Sequence, residues 1–209
     1  MQFVISGFRE VSRVIGQEFH IDSNRVFALL LREFRNDRRF VFDRVLVKLN
    51  IYAEDLVQRL VALYRNHKPR ISLYRDALEI IPILKSRLYL GMITDGYPPT
   101  QKQKIKVLGI EKYFDRIIYT WEKGQEYAKP SPQPFIDILE GFLLRPEEAI
   151  YVGDNLEKDF KGPRRIGMRS VMVLRDGIYK NVIATEQDYY PDFQIPSLQN
   201  LVELIERLA

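Results

Sequence analysis

Through the first 87 residues the apolar positions recur at helical spacing. Phe3, Val4, Phe8, Val11, Val14, Ile15 and Phe19 form one set, Val26, Phe27, Leu30, Leu31 and Phe34 a second, and Leu56, Val57, Leu60, Val61 and Tyr64 a third. Steps of three and four place each set on one face of a helix, so the pattern predicts amphipathic helices that bury those faces on one another. In HIDSNRV, Asp22 and Ser23 supply caps for the second helix, while Asn50 and the Lys68-Pro69 pair mark later breaks. A last helix over 74–86 carries Pro82 in its interior, where the missing N–H predicts a kink.

From residue 88 the pattern changes to short apolar runs alternating with helical ones. LYLGMIT (88–94), DRIIYT (115–120), AIYVGD (149–154) and RSVMVL (169–174) read as strands. Helices are predicted near 100–108, 132–142 and 156–166, with a possible strand at 191–196 and a closing helix in LQNLVELIERLA. This alternation implies βαβ units in a parallel sheet. The expected organisation is a helical domain, 1–87, followed by an α/β domain, 88–209.

Composition narrows the function classes. The 209 residues carry 32 basic and 28 acidic side chains for a net charge of +4, interleaved as in LREFRNDRRF. That is a solvated surface and not a nucleic-acid-binding block. No cysteine is present, which excludes disulfides and thiolate sites, and His20 and His67 are too isolated to form a metal pair. Both histidines are read as surface or capping residues. No apolar run reaches the ~20 residues of a membrane span and no secretory leader opens the chain, so the cytoplasm is the expected compartment.

In open α/β sheets ligands bind beyond the carboxyl ends of the strands. Those ends read TDG (94–96), TWEKGQEYAKPSPQPF (120–135) and GDNLEKD (153–159). Together they offer a hydroxyl, a lysine and paired carboxylates. A hydroxyl with backbone N–H groups suits a phosphate oxygen, lysine balances its charge, and carboxylates suit a hard cation such as Mg²⁺.

Taken in order, Thr94 after its strand, Lys129 before Pro130, and Asp154 with Asp159 in G-D-x-x-x-x-D resemble the second, third and fourth motifs of the haloacid dehalogenase-like hydrolases. AKPSPQPF and YVGDNLEKDFKGPRRIGM carry the likeness most closely, and the match in order spans 88–174. The helical segment is similar to the small cap found in one branch of that family. The resemblance implies a Rossmann-like core and Mg²⁺-dependent attack of an aspartate on a phosphoryl group. By position, Thr94 and Lys129 would be catalytic, Thr94, Asp95 and Lys129 would bind phosphate, and Asp154 and Asp159 would hold the metal. Asp154 is expected to be the direct ligand and Asp159 to act through water.

One part of the family pattern is missing. Its first motif, an apolar strand ending in Asp-x-Asp that carries the nucleophile, should precede the cap. Asp22 and Asp43 each lack a second aspartate two positions on and lie in the helical region. The chain begins where a cap begins, as though a short N-terminal segment were lost. In the family that strand lies between those ending at Thr94 and Asp154, so two inner sheet edges should be left unpaired. Such edges invite either direct pairing with each other or pairing with a foreign strand, including self-association.

Plainer readings exist for each residue. Asp154 could cap the following helix, Asp159 could be solvated in its first turn, Thr94-Asp95-Gly96 could be only a turn, and Lys129 could be a surface lysine. All four would have to hold together at successive strand ends. The expectation is therefore a phosphohydrolase for small phosphate esters, of phosphatase rather than dehalogenase type, with doubtful activity in this chain. The alternative is a non-catalytic relative acting as a binding subunit.

Overall fold

A computed structural model describes residues 1–176 and 186–208. It divides into two compact units, Met1–Ser72 and Leu73–Ala209.

The first unit is helical: α1 (Gln2–Phe19), α2 (Ser23–Asn36), α3 (Val41–Lys48) and α4 (Glu54–Asn66). The apolar faces read from the sequence close one core around Phe8, Val11, Ile15, Val26, Leu30, Val45, Leu46 and Leu60. Asp22 caps α2 by accepting the Asn24 N–H at 2.9 Å, and Asp43 sits in the first turn of α3. Neither stands at a strand end. His20 ends α1 in the left-handed region, a capping role. His67 also ends a helix but is no surface residue: it is buried, bonded to Ser6 Oγ and the Tyr64 carbonyl at 2.7 Å each, beside Phe3 and Tyr64. Glu33 is buried as well, where Arg44 and Lys48 pair with it and tie α3 to α2. Those pairings, the Lys48 hydrogen bond first, lower its pKa against the cost of burial.

The second unit comprises α5 (Arg75–Lys85), β1 (Gly91–Thr94), α6 (Pro98–Leu108), β2 (Arg116–Tyr119), α7 (Gln133–Phe142), β3 (Ile150–Gly153), α8 (Lys161–Arg165), β4 (Arg169–Val173), β5 (Phe193–Ile195) and α9 (Gln199–Leu208). The boundary thus falls at 72 and not at 87. Helical spacing marks α5 as a helix without saying which core it joins. Its Asp76 accepts from Arg175 at 2.8 Å, Ser197 Oγ at 3.0 Å and the Leu198 N–H at 2.9 Å, and Leu84 packs with Val171, Ile195 and Leu201. The helix runs on through Pro82.

All described strand pairs are parallel. β1 pairs with β2 from Gly91↔Arg116 to Thr94↔Tyr119; β3, β4 and β5 form a separate sheet in that order. Direct pairing of β1 with β3, one of the two outcomes expected for the inner edges, does not occur. The two sheets nevertheless share a layer: Ile93 and Ile118 from one, and Ala149 and Tyr151 from the other, pack on Phe135, Ile138 and Leu139 of α7. On the opposite face Ile150 and Val152 meet Val171, Val173 and the α9 residues Leu201 and Leu204. Strand β4, paired on both sides, is buried along Ser170–Val173, whereas β1 is only half-buried along Met92–Thr94.

The helix expected over 156–166 is shorter. A turn over 154–160 precedes α8, because Asp159 turns back to accept the N–H groups of Asp154 and Asn155. No described helix is long and apolar enough to cross a membrane.

Candidate functional site

The chemistry gathers where β1, β2 and β3 end. Thr94 is the last residue of β1, and Gly96, at φ 116°, turns the chain toward α6 in a region open to glycine. Asp95 points inward. Its Oδ1 accepts from Thr120 Oγ1 at 2.9 Å and from the Lys129 N–H at 3.3 Å, and its Oδ2 accepts from Lys158 Nζ at 2.8 Å. These bonds tie the end of β1 to the loops after β2 and β3. The Asp95 side chain therefore acts as an anchor between loops, and an anion could meet this residue only through its backbone N–H.

Lys129 lies between the end of β2 and α7. Its side chain is only 9% exposed, and Nζ donates to Asp159 Oδ1 at 2.8 Å and Tyr151 Oη at 2.9 Å. Burial pulls its pKa down, but the facing Tyr151, Asp159 and Asp95 more than reverse this, so the amine is held charged. It is not a surface lysine.

Asp159 is the most fully engaged group. Oδ1 accepts from Lys129 and from Tyr151 Oη at 3.2 Å; Oδ2 accepts the N–H groups of Asp154 at 3.1 Å and Asn155 at 2.9 Å. Despite burial, these partners lower its pKa. Gly153 is required beside it, since a Cβ there would lie 2.7 Å from Asp159 Oδ2. Asp154 differs. It is exposed, its carboxylate makes no hydrogen bond among the described residues, and crowding by protein atoms, then the charge of Asp159, raises its pKa. It caps no helix, because α8 starts after Phe160.

The donor set meets a hard cation only in part. Asp154 offers one open carboxylate, Asp159 has both oxygens occupied, and no group of three acidic or histidine ligands exists among the described residues. Mg²⁺ takes one or two carboxylates and completes its octahedron with water and phosphate. Asp154 fits as one such ligand, and the set alone is incomplete.

Sequence reasoning placed Thr94, Lys129, Asp154 and Asp159 in one site; the structure bonds Lys129 to Asp159 and Asp159 to the Asp154 N–H, and links Thr94 to them through its neighbour Asp95. It missed Lys158, Tyr151 and Thr120, and also Gln101 and Lys104 on α6. Gln101 Nε2 donates to Thr94 Oγ1, and to the Asp95 carbonyl at 2.8 Å, while its Oε1 accepts from Lys104 Nζ at 2.8 Å. Burial, and then the charge of Lys158, lower the Lys104 pKa to about 8. The α6 spacing of Gln101 and Lys104, three apart on one helix face, was the available signal.

Comparison with known proteins agrees with this geometry. Residues 34–173 match the family model described as haloacid dehalogenase-like hydrolase. The chain is 35% identical over 214 residues to a glyceraldehyde 3-phosphate phosphatase of Methanocaldococcus jannaschii, covering 99% of this chain and 91% of the relative. It is 31% identical to the enzyme of that name from Methanopyrus kandleri, covering 97% and 80%. Among solved structures, the HAD-hydrolase YfnB of Bacillus subtilis, bound to magnesium, superposes with a TM-score of 0.68 at 18% identity, over 95% of this chain and 91% of that one. A HAD phosphatase from Thermococcus onnurineus gives 0.62 at 22% identity, over 98% and 90%. The strand ends, the family match over both units and the shared fold lead to one conclusion: this chain belongs to the haloacid dehalogenase-like hydrolases.

Proposed function

We propose that the chain carries the phosphoryl-recognising part of a cytoplasmic phosphohydrolase for small phosphate esters, with glyceraldehyde 3-phosphate as the first substrate to test. The observation that carries this reading is the buried Lys129, charged and fixed by Asp159 and Tyr151 at the end of β3. The two phosphatase relatives supply the substrate class. In this reading Thr94 donates its hydroxyl to a phosphoryl oxygen and Lys129 offsets the phosphoryl charge. Asp159 orients Lys129 and holds the Asp154 loop, leaving the Asp154 carboxylate for Mg²⁺. The metal, when bound, would supply charge neutralisation of the phosphate.

Among the described residues Asp154 alone keeps an unbonded carboxylate in the site, and this reading assigns it to the metal and not to attack. No aspartate in the chain is followed two residues later by another, and the oxygens of Asp95 and Asp159 are occupied by hydrogen bonds. Hydrolysis of an aryl phosphate, with Mg²⁺ and with EDTA, tests this directly. The 209-residue chain alone is expected to show no magnesium-dependent turnover. Turnover that Mg²⁺ supports and EDTA abolishes would show that a nucleophile is present within these residues.

Among the described residues nothing pairs with the inner edges of β1 and β3, which supports a second reading, in which the chain is a non-catalytic subunit completed by a strand from another polypeptide. Self-association is the simplest case, and sedimentation over a wide concentration range tests it. A monomer throughout would defeat that case.

A further inference from the structure

Thr94 has one hydroxyl proton and two lone pairs, so what its neighbour presents decides which way the proton points. The neighbour is Gln101, whose amide could in principle face Thr94 with either end. Two unambiguous partners settle the choice. The Asp95 carbonyl only accepts, so it must face the NH₂ end. The Lys104 ammonium only donates, so it must face the oxygen. Nε2 therefore donates into Thr94 Oγ1, and the Thr94 proton is turned away from Gln101. Among the described residues that hydroxyl has no acceptor.

We propose that Gln101, held by Lys104, is a positioning residue that fixes Thr94 as a hydrogen-bond donor to a phosphoryl oxygen. This rests on the reading of Thr94 as a phosphate contact. The chain of donors runs from a cation to the ligand, Lys104 to Gln101 to Thr94, and each bond polarises the next in the sense that strengthens a final bond to an anion. The pair sits on α6, reaches the ligand only through Thr94, and would act on orientation rather than on contact.

The test uses inorganic phosphate, titrated into the 209-residue chain by calorimetry. Gln101→Glu is the informative variant. It keeps the shape and the Lys104 bond, gives up the bond to the Asp95 carbonyl, and replaces the donor facing Thr94 with an acceptor, which draws the Thr94 proton inward. Binding is expected to weaken about tenfold, the scale of one charge-assisted hydrogen bond. Thr94→Val should lose as much, and the double variant should lose little more than either alone, a non-additivity that simple damage to folding would not produce. Lys104→Met, which frees Gln101 to rotate, should lose less, about threefold.

If wild type binds phosphate and Gln101→Glu binds equally well, the positioning role is overturned. Additive losses in the double variant overturn it too. If Thr94→Val binds as tightly as wild type, or wild type does not bind, then Thr94 is not a phosphate contact and the reading beneath the proposal falls with it.

Discussion

Two buried carboxylates in this protein have nearly the same chemistry and different uses. Glu33, 2% exposed, is paired by Lys48 and Arg44 between two helices. Asp159, 3% exposed, is paired by Lys129 and crossed by Tyr151 where β3 ends. Both have lowered pKa values for the same reason. Burial and pairing thus do not distinguish a joint from a site. Topology does: Glu33 joins two helices, with Arg44 and Lys48 reaching it from α3 and Arg32 from its own α2, whereas Asp159 lies past a strand end next to the exposed Asp154.

The sharpest test of that contrast is to remove one cation from each cluster. Lys129→Met leaves Asp159 buried without its ammonium and should cost roughly 3–5 kcal/mol in denaturant unfolding, together with phosphate binding. Lys48→Met leaves Arg44 on Glu33, so a smaller loss is expected, with phosphate affinity unchanged. Equal effects of the two variants on phosphate binding would break the comparison.

Gly153→Ala asks whether the Asp159 cluster tolerates displacement. Its Cβ would press on Asp159 itself, and a loss of about 1–3 kcal/mol is expected, with weaker phosphate binding at temperatures where the fold is intact.

Asp76 supplies a third buried carboxylate, and its pKa predicts a pH dependence. Burial raises it, but Arg175, the Leu198 N–H and Ser197 lower it further, to about 2. The folded value lies below the unfolded one near 3.8. Its contribution is therefore present above pH 4 and is lost as pH falls from about 4 to 2, by about 2 kcal/mol. Asp76→Asn should flatten that part of the stability curve without touching phosphate binding at neutral pH.

The smallest effect belongs to Asp154. Crowding by protein atoms, then the charge of Asp159, already disfavour its ionised form, so Asp154→Asn should leave stability within ~0.5 kcal/mol of wild type. Any Mg²⁺ dependence of phosphate binding should disappear in the same variant.

Much of this was legible in the sequence. The apolar spacing located α1, α2, α4 and all the strands, because in both periods the buried face writes itself into the order of residues. Thr94, Lys129, Asp154 and Asp159 stood out because they lie past strand ends, where parallel sheets expose ligand groups, in the order of the family's motifs. What escaped depended on three-dimensional partners. The spacing in α5 marks a helix yet cannot show that Asp76 will find Arg175. Nothing in the sequence showed that the Asp95 oxygens would be taken by Thr120 and Lys158. Tyr151 reads only as part of the strand AIYVGD; its ring packs on Phe135, and its hydroxyl reaches the Lys129–Asp159 pair.

The break between β1 and β3 also has a mechanical consequence. In a continuous sheet the distance between two strand ends is set by backbone ladders, which are stiff. Here the end of β1 is fastened to the end of β3 by side chains, Asp95 to Lys158 at 2.8 Å, and by the shared support of α7. Side-chain fastenings rotate about several bonds. The spacing between β1 and β3 is therefore the compliant dimension of this unit, and a strand seated between them would act as a gauge block that sets its width.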